Sequence, residues 1–128
     1  MYLYRKTNGH VGGQIPNSQA RICLLTTTGR RTHMAHTVPL VYLEDGNRVV
    51  LAASGNVARQ PDWYLNLVAN PAVTLDIDGD AVAMRVRPAT DEERASLWPR
   101  LIELWKGFAK ADARTDREIA VVICTAEH

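Results

Sequence analysis

Ala72-Val-Thr-Leu-Asp-Ile-Asp-Gly-Asp-Ala-Val-Ala-Met-Arg-Val86 alternates apolar and polar residues up to Ile77, turns at Asp78-Gly79 and returns as the largely apolar Ala81 to Val86. Period-two alternation entering a two-residue Asp-Gly turn, with an apolar run returning from it, is a strong short-range signal for a β-hairpin. Asp45-Gly46 repeats the signal upstream and leads into Arg48-Val-Val-Leu-Ala-Ala53. Before it, Arg21-Ile-Cys-Leu-Leu-Thr-Thr27 reads as a buried strand broken at Gly29, and Thr37 to Leu43 as the next strand. Pro39 cannot donate to a sheet ladder, which puts that strand at an edge or a bulge. Ile119 to Cys124 is a last apolar strand. Two helices interrupt the pattern. Pro61 suits a first helical position, Asp62 suits the positive helix N-terminus, and Asn70-Pro71 stops the run. Thr90 with Glu93 forms a capping box, followed by Leu97, Trp98, Leu101, Ile102 and Trp105 at helical spacing. Six strands joined mainly by hairpins, with two peripheral helices, describe a mainly β fold, a small antiparallel barrel.

The charge is distributed less evenly than its total suggests. The 128 residues carry a formal net charge of +1. From Met1 to Leu43, however, Arg5, Lys6, Arg21, Arg30 and Arg31 stand without a single Asp or Glu, so the remainder is net acidic. Such asymmetry suggests that the N-terminal third meets something anionic or lies against an acidic partner. With 46% hydrophobic residues the chain has enough material for one cored domain. It reads as a basic arm over 1–20 and a barrel domain over 21–128. No apolar run approaches the roughly 20 residues of a membrane span. The sequence after Met1 lacks the apolar stretch of a secretory signal. Cys23 and Cys124 lie in apolar runs and read as small buried hydrophobes, in keeping with a cytoplasmic protein.

Searches for self-contained chemistry return little. Asp76-Ile-Asp78-Gly79-Asp80 has its glycine too early for a calcium loop, and Arg87 stands where the closing glutamate belongs. His33 and His36 have no evident third ligand, so no metal is expected. Ser54 is not in a Gly-x-Ser-x-Gly elbow. Neither a Walker loop nor a dinucleotide fingerprint is present. An enzyme without its own nucleophile or acid–base pair borrows reactivity from a cofactor. The informative stretch is Thr26-Thr-Thr-Gly29-Arg30-Arg31-Thr32. Here a strand ends, a glycine turns the chain and two guanidinium groups follow among hydroxyls. Backbone N–H groups around such a turn, and arginine forks beside it, suit phosphate oxygens, although an ordinary solvated turn has the same composition.

Leu24-Leu-Thr-Thr-Thr-Gly-Arg-Arg-Thr32 followed by Val38-Pro39-Leu40 resembles the opening of the deazaflavin (F420)-dependent nitroreductase and F420H2-dependent quinone reductase family. Ala52-Ala-Ser54, Pro61-Asp-Trp63-Tyr64-Leu-Asn66-Leu, Ala69-Asn-Pro71, Ala89-Thr-Asp-Glu-Glu-Arg94, Leu97-Trp98-Pro99 and Thr115-Asp-Arg117-Glu-Ile119 continue the likeness in order. Tyr4-Arg-Lys-Thr-Asn-Gly and Gly12-Gly13 are similar to its N-terminal arm.

The resemblance implies a split β-barrel, similar to the FMN-binding split barrels, holding coenzyme F420. This deazaflavin ends in a phosphodiester and an oligoglutamate tail. It also implies hydride transfer from F420H2 to an apolar acceptor such as a quinone, nitro compound or activated alkene. By the same likeness Thr28, Gly29, Arg30 and Arg31 form the phosphate-contacting turn, with Arg5, Lys6 and Arg21 as helpers. Val38, Pro39 and Leu40 face the deazaflavin or fill the barrel core. Ala53, Ser54 and Gly55 approach the ring, and Ser54 either positions substrate or cofactor as a catalytic residue or merely ends a strand. Trp63, Tyr64 and Asn66 lie on the helix beside the cofactor, where Trp63 is contact or core and Asn66 bonds either cofactor or backbone.

The substrate pocket falls to Tyr42, Trp105, Phe108 and Ala111. In place of the tyrosines of nitro-reducing relatives, Trp105, Phe108 and Ala111 describe a more apolar wall. The resulting expectation is an F420H2-dependent reductase acting on a small-molecule acceptor. An FMN-binding split-barrel oxidoreductase and a non-catalytic F420 carrier are the alternatives. Nucleic acid is not expected as a partner, because no aromatic residue lies between Gly9 and Arg31 to stack on bases. A monomer or homodimer is expected, as is peripheral contact of the basic arm with the inner face of the cell membrane.

Overall fold

The structure, a computed structural model, describes residues 20–53, 60–113 and 118–126. Six antiparallel strands close a barrel: β1 Arg21–Thr28, β2 Ala35–Asp45, β3 Arg48–Ala52, β4 Ala72–Ile77, β5 Asp80–Pro88 and β6 Val121–Ala126. Around the barrel they run β1-β2-β3-β6-β5-β4. The β4–β5 hairpin turns at Asp78 (φ 53°) and Gly79 (φ 90°), the pair of left-handed residues that a two-residue hairpin needs. The β2–β3 loop is Gly46-Asn47, one residue later than the Asp-Gly reading placed it, with Gly46 at φ 63°.

The ladder lengths show where the barrel is split. β1 and β2 pair over eight positions, from Arg21↔Tyr42 to Thr28↔Ala35. β2 and β3 pair over three, Leu43↔Val50 to Asp45↔Arg48, and then part. Among the described residues no strand pairs with the outer edge of β2 from Ala35 to Tyr42. Pro39 sits on that edge, where its missing N–H leaves no gap in a ladder.

Side-chain alternation separates two cores. Cys23, Leu25, Tyr42, Val49, Leu51, Val73, Leu75, Met84, Val86, Val122 and Cys124 fill the barrel interior. Val50, Ala52, Val121 and Ile123 face outward from β3 and β6 and pack with Leu97, Leu101 and Phe108. Among the described residues three helices serve these cores. α1, Asp62–Ala69, sends Trp63 and Leu67 into the barrel cluster. Pro61 is its N-cap in extended conformation rather than its first helical residue. α2, Asp91–Leu104, carries the expected capping box of Thr90 and Glu93. α3, Gly107–Ala113, corrects the expectation of two helices. The chain becomes extended at Trp105 (φ −150°, ψ 113°), which ends the α2 periodicity.

An ion-pair clamp ties α2 to the β2–β3 hairpin. Glu93 accepts from Arg87 at 2.7 and 2.8 Å, from Arg48 at 3.2 Å and from the Thr90 N–H at 2.9 Å. Asp45 accepts from Arg100 at 2.8 Å and also pairs with Arg48. Glu93 is held well below the ordinary carboxyl range, chiefly by Arg87, and Asp45 is lowered by Arg100 and then Arg48. A carboxyl depressed in the folded state contributes stability above its unfolded pKa, and that contribution is lost as pH falls through the folded value. The denaturation midpoint should therefore fall below about pH 4, and Glu93→Gln should flatten that acid limb. Urea titrations across pH measure both effects.

The two cysteines are free and buried, as their apolar flanks suggest. Burial pushes both thiols up to about 12. Without thiolate there is no nucleophile. Native protein should leave a thiol reagent such as DTNB unreacted, and both cysteines should titrate on unfolding.

Candidate functional site

A cavity of about 410 Å³ opens at the β1–β2 end of the barrel, lined by Gly29, Arg30, Arg31, Thr32, His36, Val38, Asp62, Trp63 and Asn66. Its volume lies in the ordinary range for small-molecule sites. One wall is the basic turn. The other is the first half of α1, which packs on β1 through residues far away in sequence.

The turn is tightly self-bonded. Gly29 N–H donates to the Met34 carbonyl (2.8 Å), and His33 N–H donates to the Gly29 carbonyl (2.9 Å). Met34 N–H donates to Thr32 Oγ1 (3.2 Å), and Arg30 N–H to Asn66 Oδ1 (3.2 Å). Four N–H groups of the turn are thus spent within the protein. The guanidinium groups of Arg30 and Arg31 line the cavity beside this turn. The left-handed residue of the turn is His33 (φ 60°), not Gly29. Gly29 serves instead by its size. A Cβ there would come within 2.6 Å of Thr32 Oγ1 and 2.9 Å of His36 Nε2.

Arg30 lies at the centre. Its Nη1 donates to Asn66 Oδ1 at 2.8 Å, and its Nη2 is 3.4 Å from the exposed carboxylate of Asp62. Asn66 is buried, and its Nδ2 donates to the buried Thr27 hydroxyl at 3.4 Å. Arg31 is exposed and makes no ion pair among the described residues. Two guanidinium groups against one carboxylate leave the cavity net positive, with the imidazole of His36 beside them. Val38 and Trp63 add an apolar side.

Of the residues expected at the site, Gly29, Arg30, Arg31, Val38, Trp63 and Asn66 share this cavity. Thr28 ends β1 opposite Ala35, just beside it. Leu40 packs against the barrel core and Pro39 is exposed on the outward face. Ala53 is buried, its N–H bonded to the Ala120 carbonyl at 2.9 Å. Tyr64 stands edge-on to Trp63, with ring centroids 6.3 Å apart, and packs on the core instead of lining the cavity. Ser54, Gly55, Arg5, Lys6 and the Ala111 side chain lie outside the described residues.

Three expected pocket residues are elsewhere. Tyr42 faces the barrel interior six positions beyond His36 on β2, about 20 Å away at strand rise. Trp105 and Phe108 stack edge-to-face at 5.0 Å on the outer side of β3 and β6 and form no part of the cavity wall. Gly107 allows this packing, since a Cβ would meet the Trp105 ring at 2.6 Å. Arg21 pairs with Asp78 at 3.0 Å at the far end of β1 from the turn.

Thr32, His36 and Asp62 line the cavity without having been singled out as ligand contacts. Thr32 and His36 flank the basic turn in sequence, which is a usable signal. Asp62 reads locally as a helix-start residue, and only the packing of α1 brings it to Arg30.

Comparison with known proteins bears on the family and the fold. The F420H(2)-dependent quinone reductase family matches residues 1–126. An F420H(2)-dependent quinone reductase of Mycobacterium tuberculosis is 35% identical over 127 residues, covering 96% of this chain and 85% of the relative. A solved F420-H2 dependent reductase, FDR-A, superposes with a TM-score of 0.71 at 30% identity, covering 80% of this chain and 92% of that one. A second solved structure, described as a domain-swapped dimer, gives a TM-score of 0.73 at 26% identity, covering 96% of each chain. With a family match over nearly its whole length and the split barrel to go with it, the chain belongs to the F420H(2)-dependent quinone reductase family of oxidoreductases.

Proposed function

We propose that the cavity between the Gly29–His36 turn and α1 holds coenzyme F420 and that the protein uses it to reduce a quinone. The observation that carries this reading is the meeting of Arg30 and Arg31 with Val38 and Trp63 in one cavity. A cofactor with an anionic tail and a planar, largely apolar ring needs both kinds of surface, and the residues present fit that need. When bound, F420H2 supplies a hydride.

Arg30 and Arg31 bind the phosphodiester and the glutamate tail by charge-assisted hydrogen bonds, the stronger kind. Thr32 and His36 place a hydroxyl and an imidazole beside them. Val38 and Trp63 exclude water from one side of the site and orient what lies against them, so that encounter with an acceptor is already aligned. The proton that completes quinone reduction comes from solvent or from a nearby hydroxyl. Arg5 and Lys6 in the basic arm support peripheral contact with an anionic membrane surface, where apolar quinones reside. The domain-swapped relative supports a homodimer, which light scattering would read as twice the chain mass.

Titration with oxidised F420 and with FMN, each followed by its own fluorescence, tests the cofactor. F420 should bind and FMN should not compete. Tight FMN binding with no F420 binding would reverse the assignment. Menadione added to protein with F420H2 should then restore the oxidised deazaflavin absorbance. F420 binding with no turnover across a quinone panel would leave a carrier.

A further inference from the structure

We infer that Asn66 is a positioning residue: it sets Arg30 for anion capture and is not itself a ligand contact. The inference rests on the reading that Arg30 binds the anionic part of F420. Asn66 is 5% exposed, and its single side-chain oxygen accepts twice from Arg30, from the backbone N–H at 3.2 Å and from Nη1 at 2.8 Å. An amide oxygen has two lone pairs, so both are taken. The orientation of the amide follows from its partners. Rotated by half a turn, the NH2 group would face two Arg30 donors, and the Thr27 hydroxyl would lose the Nδ2–H bond it accepts at 3.4 Å. Thr27 is itself 1% exposed on β1 and fixes the amide from behind.

The consequence concerns Arg30 more than Asn66. One buried atom holds both the backbone and the guanidinium of the same residue, so the long side chain is ordered on folding and not on binding. An ordered side chain loses less entropy when a ligand arrives. Among the described residues Nη2 meets only the exposed Asp62 carboxylate, at 3.4 Å, a contact that an arriving anion displaces. Arg31 has no such tether and contributes charge without a fixed direction.

A double-mutant cycle on F420 affinity tests this, with every variant first shown to be folded by thermal unfolding. Asn66→Ala and Arg30→Ala should each weaken F420 binding by about tenfold or more, and the double variant should bind no worse than Arg30→Ala alone. Asn66→Ala combined with Arg31→Ala should instead show multiplied losses, because those two residues act independently. In steady state the KM for F420H2 should rise with Asn66→Ala while the KM for menadione stays put. If Asn66→Ala does not fold, Asn66→Ser enters the same cycle, since its hydroxyl is too short to hold the guanidinium. Multiplied losses for Asn66 with Arg30, or equal coupling to Arg31, would overturn the inference while leaving the cofactor site standing. A wild-type protein that bound no F420 would overturn the site reading first, and the inference with it.

Discussion

Arg30→Ala combined with Arg31→Ala is expected to weaken F420 binding by roughly a hundredfold or more, since each charge-assisted bond contributes about 1.5–3 kcal/mol. The loss should be larger for F420 with a long glutamate tail than with a short one. It should also shrink as salt is raised, because Arg31 is exposed and screened. Fluorescence titration at two ionic strengths reads both trends. Equal affinity of wild type and double variant would remove the assignment.

The single variants divide the effect. Arg31 makes no ion pair among the described residues, so its loss should leave stability within about 0.5 kcal/mol and act on binding alone. Arg30→Ala removes the Nη1 donor from the buried Asn66 oxygen and leaves it only the backbone N–H of residue 30. A hydrogen bond to a charged group contributes about 1.5–3 kcal/mol, so that variant should also melt earlier.

Trp63→Ala should produce the largest loss of stability of any single change at the site. Its side chain is 8% exposed and belongs to the barrel core cluster while also lining the cavity. Truncating a buried tryptophan costs about 3–5 kcal/mol, a large share of the 5–15 kcal/mol of a small domain. The same change opens the cavity's apolar side, so F420 affinity should fall together with the urea midpoint. Trp63→Phe separates the two roles. It should recover much of the stability and keep the cavity bounded, and binding should recover with it. A Trp63→Phe variant as unstable as Trp63→Ala would mean that the indole shape, not its bulk, carries the packing.

The hairpins were readable because their determinants are local. Asp78-Gly79 supplies left-handed residues where a two-residue turn needs them, and the alternation entering the turn assigns each side chain to one face of the sheet. The basic turn was readable for the same reason: Gly29, Arg30, Arg31, Thr32 and His36 lie within eight positions. Where two sets of pocket candidates lie depends on geometry that one-dimensional spacing does not carry. Tyr42 faces the barrel interior about 20 Å along β2 from His36. Trp105 and Phe108 were read as a wall above the cofactor, and they complete the outer core with α2 instead.

By itself the sequence determined the six strands, the capped helix at Thr90, the uneven charge and the family, since each depends on residue type and short-range order. The tertiary structure alone decided which of these residues meet. Asn66 and Arg30 are 36 positions apart, and nothing in either neighbourhood names the other. They come together because α1 seats Trp63 and Leu67 in the barrel core, which brings the intervening amide against the end of β1. The split between β2 and β3 is decided in the same way. Pairing ends after Leu43↔Val50, a property of how two strands diverge in space and not of the residues in either one.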